Sequence, residues 1–198
     1  MSSAHQPAPR DPLFDAALDD LAHFRWRAEL DIDHMPSPQR IAPHTAAISA
    51  DVTVGDTEVG SGRLIVLHDP DGNSAWDGTF RCVTYAHADV DLEMVTDPLL
   101  AEVAWSWLTE ALTTHRAEHT AASGTITAVS SRCFGGLGAE PDRAEVEVRA
   151  SWTMLLHDRR DFPRHLAAWQ DLLCTTAGLP PLPEGVVPLG PTRGGPLR

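Results

Sequence analysis

From Ala144 to Leu156 the chain alternates, with Ala144, Val146, Val148, Ala150, Trp152 and Met154 apolar and Glu145, Glu147, Arg149, Ser151 and Thr153 polar. Successive side chains of a β-strand leave opposite faces, so this spacing predicts an antiparallel strand with one buried and one wet face. Ile48, Ala50, Val52 and Val54 repeat the pattern, and Gly55 with Asp56 supplies hairpin-turn chemistry. The next segment, around Arg63 to His68, is apolar at Leu64, Ile65, Val66 and Leu67. A strand apolar on both sides needs cover on both. Asp69 to Ser74 reads as a turn, and further strands are predicted from about Trp76 to His87 and from Ala122 to Cys133. Ala28 to Ile32 reads only as a short extended piece, and Met35, Pro36, Ser37 and Pro38 interrupt regular structure.

Three helices are predicted from capping residues and apolar stripes. Asp11 before Pro12 opens the first, since an Asx cap satisfies free backbone N–H groups and proline loses nothing in the first turn. Phe14, Ala17, Leu18, Leu21 and Phe24 line one side of it. Asp97 and Pro98 repeat the start, followed by the stripe Leu100, Val103, Ala104, Trp107, Leu108 and Ala111. The last helix opens at Asp161, aligns Leu166, Trp169, Leu172 and Leu173, and stops at Gly178 before prolines.

The resulting order, α-βββ-α-ββ-α, predicts an α+β fold: a two-layer domain with a mainly antiparallel five-stranded sheet and helices packed on one face. Helices on one face leave the Leu64–Leu67 stretch in want of a second cover. That predicts a homodimer through the far face, or cover by the proline-rich arm. The domain is expected to span 11–186, with a disordered N-terminus over 1–10 and a disordered Pro/Gly-rich tail over 187–198.

Composition narrows the function classes. A chain of 198 residues with 42% hydrophobic content fits one domain with one core. Its formal net charge of -13 disfavours direct nucleic-acid binding, which rests on clustered basic residues. All 15 basic residues are arginine, to which we attach no functional weight. Cys82, Cys133 and Cys174 are odd in number and lack CxxC spacing, so neither a disulfide framework nor a zinc ribbon is indicated. With no signal-peptide pattern and no apolar run near the roughly 18 residues of a membrane span, a cytoplasmic, membrane-free protein is expected.

Candidate chemistry is sparse. His115, Glu118 and His119 fit the H-x-x-E-H pattern of inverted zincins, but the third ligand would have to come from another helix, and two surface histidines near a helix end explain the spacing as well. Asp69, Asp71 and Asn73 match the first positions of a calcium loop, yet Ser74 and Phe80 stand where its glycine and bidentate acid belong. The loop Phe134, Gly135, Gly136, Leu137, Gly138 lacks the lysine and helix of a phosphate cradle and reads as a tight connection. Cys174 has no histidine signature beside it and reads as packing. Trp107, Trp152 and Trp169 fall on apolar stripes, whereas Trp105 lies off its stripe and is a candidate protein-binding anchor. No catalytic residue, metal site or cofactor is predicted.

Taken together, ISADV (Ile48–Val52), WSWLTEAL (Trp105–Leu112), TAASGTIT (Thr120–Thr127), FGGL (Phe134–Leu137) and DLLCTTAGLPPLPEGV (Asp171–Val186) resemble the actinobacterial domain of unknown function 3000 (DUF3000). The resemblance implies an actinobacterial, cytoplasmic, single-domain protein and brings no reaction or catalytic residue with it. It also implies a gene beside one resembling ribonuclease D, hence a ribonuclease as a possible partner. At the level of fold alone the element order is similar to that of acidic secretion-chaperone-like dimers.

The expectation from sequence is a non-enzymatic protein- or peptide-binding module with Trp105, Phe134, Pro180, Pro181 and Pro183 as contacts. Two alternatives are an enzyme or small-molecule binder with a pocket between sheet and helices, drawing on His68, His87, Asp77 or Arg81, and an accessory to RNA metabolism acting through a nuclease partner.

Overall fold

The computed structural model describes residues 11–38 and 40–181. The expected disorder of 1–10 and 187–198, and Pro183, lie outside them. The strands are β1 (Leu30–His34), β2 (His44–Val54), β3 (Thr57–Asn73), β4 (Gly78–Asp89), β5 (His119–Ser131) and β6 (Arg143–Met154). The helices are α1 (Pro12–His23), α2 (Leu92–Val95), α3 (Leu100–Thr114) and α4 (Asp161–Thr176). Every strand pair is antiparallel, and the sheet order is β1-β2-β3-β4-β6-β5.

The α+β class stands, but the five-stranded sheet is corrected to six strands. The additional strand is β1, which overlaps the short extended piece at Leu30–Ile32, and the short helix α2 is a fourth helix, so the expected order α-βββ-α-ββ-α becomes α-ββββ-αα-ββ-α. Only Leu30 of the five residues of β1 is buried, so it carries too little alternation to read as a strand. Its ladder to β2, from Leu30↔Val52 to His34↔Ile48, holds it in place. β3 likewise runs through the predicted turn, with irregular pairing between His68 and Asn73, and Trp76 lies in the turn rather than a strand.

The alternation in β6 orients the sheet. Val146, Val148 and Trp152 are fully buried and share one core beneath the helices with Ile48 of β2, Leu64 of β3 and Cys82 of β4. α4 lies across β3, β4 and β6, with α3 beside it reaching β5 and α1 packed on α4. Trp152 Nε1 donates to His165 of α4, and Trp169 Nε1 to Thr84 of β4, so both buried indoles are hydrogen-bonded. Trp26 stacks edge-on against Trp169 at 5.5 Å. Gly178, at φ 74, ends α4, and the Leu179 amide reaches back to the Cys174 carbonyl.

The second cover demanded by Leu64–Leu67 is partly internal. Leu67 and Ala47, on the face away from the helices, are 5% and 6% exposed within the single chain. The Thr153 hydroxyl on that face donates to the Trp76 carbonyl, so the β3–β4 turn folds over this end of the sheet. Ile65 and Val83 stay half-exposed.

Candidate interaction surface

Strand register places two rows at the centre of the far face. One reads Ala47, Ile65, Val83, Ser151, Ser123 from β2 to β5, and the next Ser49, Arg63, Tyr85, Arg149, Thr125. Residues directly opposite in an antiparallel pair share a face, so these side chains stand together. They enclose an open depression of about 570 Å³, floored by Ile65, Val83 and Tyr85 and flanked by Arg63 and Arg149.

Its polar groups are held by neighbours. The Arg149 guanidinium pairs with Glu147 at 2.7 Å and lies 5.3 Å above the Tyr85 ring. Tyr85 donates to Glu147 at 3.0 Å, and burial together with that carboxylate raises its pKa. Arg81, one row away, donates to Ser151 (2.6 Å), Thr153 (2.9 Å), the Ala121 carbonyl (3.1 Å) and Ser123 (3.5 Å). Its partners are all neutral oxygens, and burial lowers its pKa. The arrangement suits recognition: an aromatic and aliphatic floor for apolar side chains, with guanidinium groups for carboxylates.

β5 bounds this face and ends the sheet. It is 13 residues long, and from Thr120 to Ser131 it carries no charged side chain. Among the described residues, no backbone pairs with its outer edge. On the helix side, the Trp105 indole lies over Gly124, so closely that a Cβ there would stand 2.8 Å from the ring and collide with the Arg149 carbonyl.

The contact residues predicted from sequence do not converge. Trp105 is half-buried on the helix side of β5. Phe134 projects from the β5–β6 connection, 78% exposed, with Leu137 63% exposed nearby in sequence. Pro180 and Pro181 are exposed, and the Pro180 carbonyl accepts a 2.9 Å hydrogen bond from Arg27, in the segment leading to β1 at the opposite edge of the sheet.

A family model described as a protein of unknown function, DUF3000, matches residues 10–187. The chain belongs to this family. No curated protein and no solved structure matches it. The match spans both surface features of the DUF3000 chain described above.

The remaining candidates in this DUF3000 protein are dispersed. His115 caps the end of α3 and bonds Asp171 of α4 at 2.6 Å, Glu118 pairs with His157, and His119 belongs to a strand, so the two histidines do not share a helix face. Asp69 accepts from the Asp71 amide and the Asn73 side chain, as a turn former does. His68 is stacked between Phe14 and Phe80 in the core, Asp77 sits at φ 53 in the β3–β4 turn, and His87 lies two rows from Val83, so the group His68, His87, Asp77 and Arg81 forms no common site. Cys174 is buried, which pushes its thiol up to about 12. His87, Asp89 and Glu145 present ligand atoms within 4.8 Å of one another, a donor set suited to a divalent cation, while the 3.2 Å His87–Glu145 hydrogen bond already accounts for two of them. Between α1, β4 and the start of α4 lies a cavity of about 300 Å³ lined by Leu13, Ala17, Phe80, Leu156 and Phe162. No helix among the described residues is long and apolar enough to cross a membrane.

The sequence pointed to the far face through Leu64–Leu67, as a homodimer surface, but not to this grouping of residues on it. Its members come from β3, β4, β5 and β6, and the signal available was the pair of residues Ile65 and Val83 at positions that alternation assigns to the wet face.

Proposed function

We propose that this DUF3000 protein is a non-enzymatic module that holds an extended segment of another protein against the far face of its sheet. One observation carries the reading: Ile65, Val83 and Tyr85 stay half-exposed at the centre of a sheet face that has no helical cover among the described residues, flanked by exposed Arg63 and Arg149 in a chain of formal charge -13. Exposed apolar floors ringed by polar groups mark binding surfaces, and local arginines select a segment that alternates apolar and acidic side chains. Burying the floor contributes about 25 cal/mol per Å² of apolar area, and the arginines fix orientation. The family resemblance makes a ribonuclease-like protein the first partner to test. Free thiols at Cys82, Cys133 and Cys174 fit a reducing cytoplasm.

The test compares wild type with Val83→Asp and Arg63→Glu, each checked by circular dichroism, in binding to a captured partner and to a synthetic peptide from it. At least tenfold weaker binding by each folded variant is expected. Undiminished binding by both, or loss only with Trp105→Ala or Phe134→Ser, would overturn the far-face reading.

The small-molecule alternative draws support from the apolar cavity beneath α1. An apolar probe that raises the melting temperature of wild type but not of Ala17→Trp would favour it.

A further inference from the structure

We infer that β5 pairs with β5 of a second copy of this chain, antiparallel about a two-fold axis near Thr125, joining two six-stranded sheets into one.

The two edges of the sheet are built differently. An exposed edge strand offers a row of unpaired N–H and C=O groups, and proteins blunt such edges by shortness and charge. β1 does both: it has five residues, with Asp31, Asp33 and His34 exposed. β5 does neither. It has 13 residues, without a charged side chain or proline from Thr120 to Ser131. Among the described residues, each chain has one protected and one open edge, which suits a closed two-fold dimer. Pairing β5 with β5 uses both open edges and leaves the charged β1 strands outermost. Pairing β5 with β1 of another copy would instead run on without closure.

The strand also complements itself. Centred on Thr125, antiparallel pairing sets Thr125 opposite Thr125 of the partner and Ser123 opposite the partner's Thr127 on the far face. Hydroxyl side chains in such positions form favourable cross-strand pairs. On the helix face, Gly124 lies opposite the partner's Ile126. The glycine leaves room there, and Trp105, which already covers Gly124, offers its ring to the incoming isoleucine. Each chain carries a formal charge of -13, so copies repel at long range, and this strand brings no like charges into contact.

The pairing goes beyond the proposed binding function and changes its geometry. The depression on each far face is lined by Ser123, Gly124 and Thr125. Joining the β5 strands therefore brings the two depressions side by side across the seam, with Arg149 of each copy one strand away from it.

The full-length protein is tested by sedimentation equilibrium from low to high micromolar concentration. Wild type is expected to approach twice 21.5 kDa, and the double variant Thr125→Lys/Thr127→Lys to remain at 21.5 kDa with an unchanged circular dichroism spectrum. In a Cys133→Ser background, Thr125→Cys is expected to form a disulfide dimer on oxidation, and Asp33→Cys on β1 is not. A wild type that stays monomeric throughout, a dimer indifferent to the lysines, or a monomer whose β5 lysines abolish binding of a foreign strand instead would each overturn the pairing. Binding measured in parallel separates the two proposals. A monomer that still loses its partner on Val83→Asp overturns the pairing alone, and a lysine-sensitive dimer whose partner ignores Val83→Asp overturns the far-face reading alone.

Discussion

His165 has its chemistry set by burial. It is fully buried in α4, and its Nδ1 accepts a 3.1 Å hydrogen bond from Trp152. The proton therefore resides on Nε2, which has no partner among the described residues. Burial first, and then His119, lowers its pKa to about 4. The unfolded chain takes up this proton near 6.5, so acid favours unfolding. The stability tied to neutral His165 is fully present above pH 6.5 and is lost as pH falls to about 4, a change on the order of 3 kcal/mol. Urea denaturation of wild type and His165→Asn between pH 7 and pH 4.5 checks this. The asparagine retains an acceptor for Trp152 without titrating, so its stability is expected to fall less with acid. Parallel curves would contradict the assignment. Sequence placed Trp152 and Trp169 in the core because alternation and helical stripes are local signals. It was silent on His165 and Thr84 as their partners, because each bond joins a strand to a helix.

At the scale of elements, the passage from α3 into β5 shows why a motif failed. The spacing of His115 and His119 supports metal binding only if helix continues between them. α3 ends at Thr114, Arg116 takes a φ of 52, and β5 starts at His119 with a bulge where Ala121 stands at φ 50. Those left-handed residues, Arg116 and Ala121, turn the chain out of α3 and aim β5 along the sheet edge. β1 was illegible for the opposite reason, since five residues with one buried position carry no period. The Trp105–Gly124 contact links α3 to β5, and Gly124→Ala is expected to cost about 1–3 kcal/mol through overpacking against the Arg149 carbonyl and the indole. Thermal unfolding and tryptophan emission report it. An unchanged melting temperature would show that α3 does not seat on the strand.

For the whole molecule, class and layering were readable from alternation and stripes, yet strand order was not. β6 lies between β4 and β5, so the last strand of the chain is internal and an uncharged middle strand becomes the edge. Both surfaces of interest follow from that order: the far-face depression needs β6 beside β4, and the open edge needs β5 outside β6. An uncharged edge on a chain of charge -13 is therefore a property of the assembled sheet. The direct test is amide hydrogen exchange along β5 at micromolar concentration. Pairing predicts that consecutive amides from Ser123 to Thr127 are slow and that dilution releases alternate ones, while the outward amides of β1 exchange fast throughout. Fast exchange at every second β5 amide, unchanged from dilute to concentrated protein, would contradict the account.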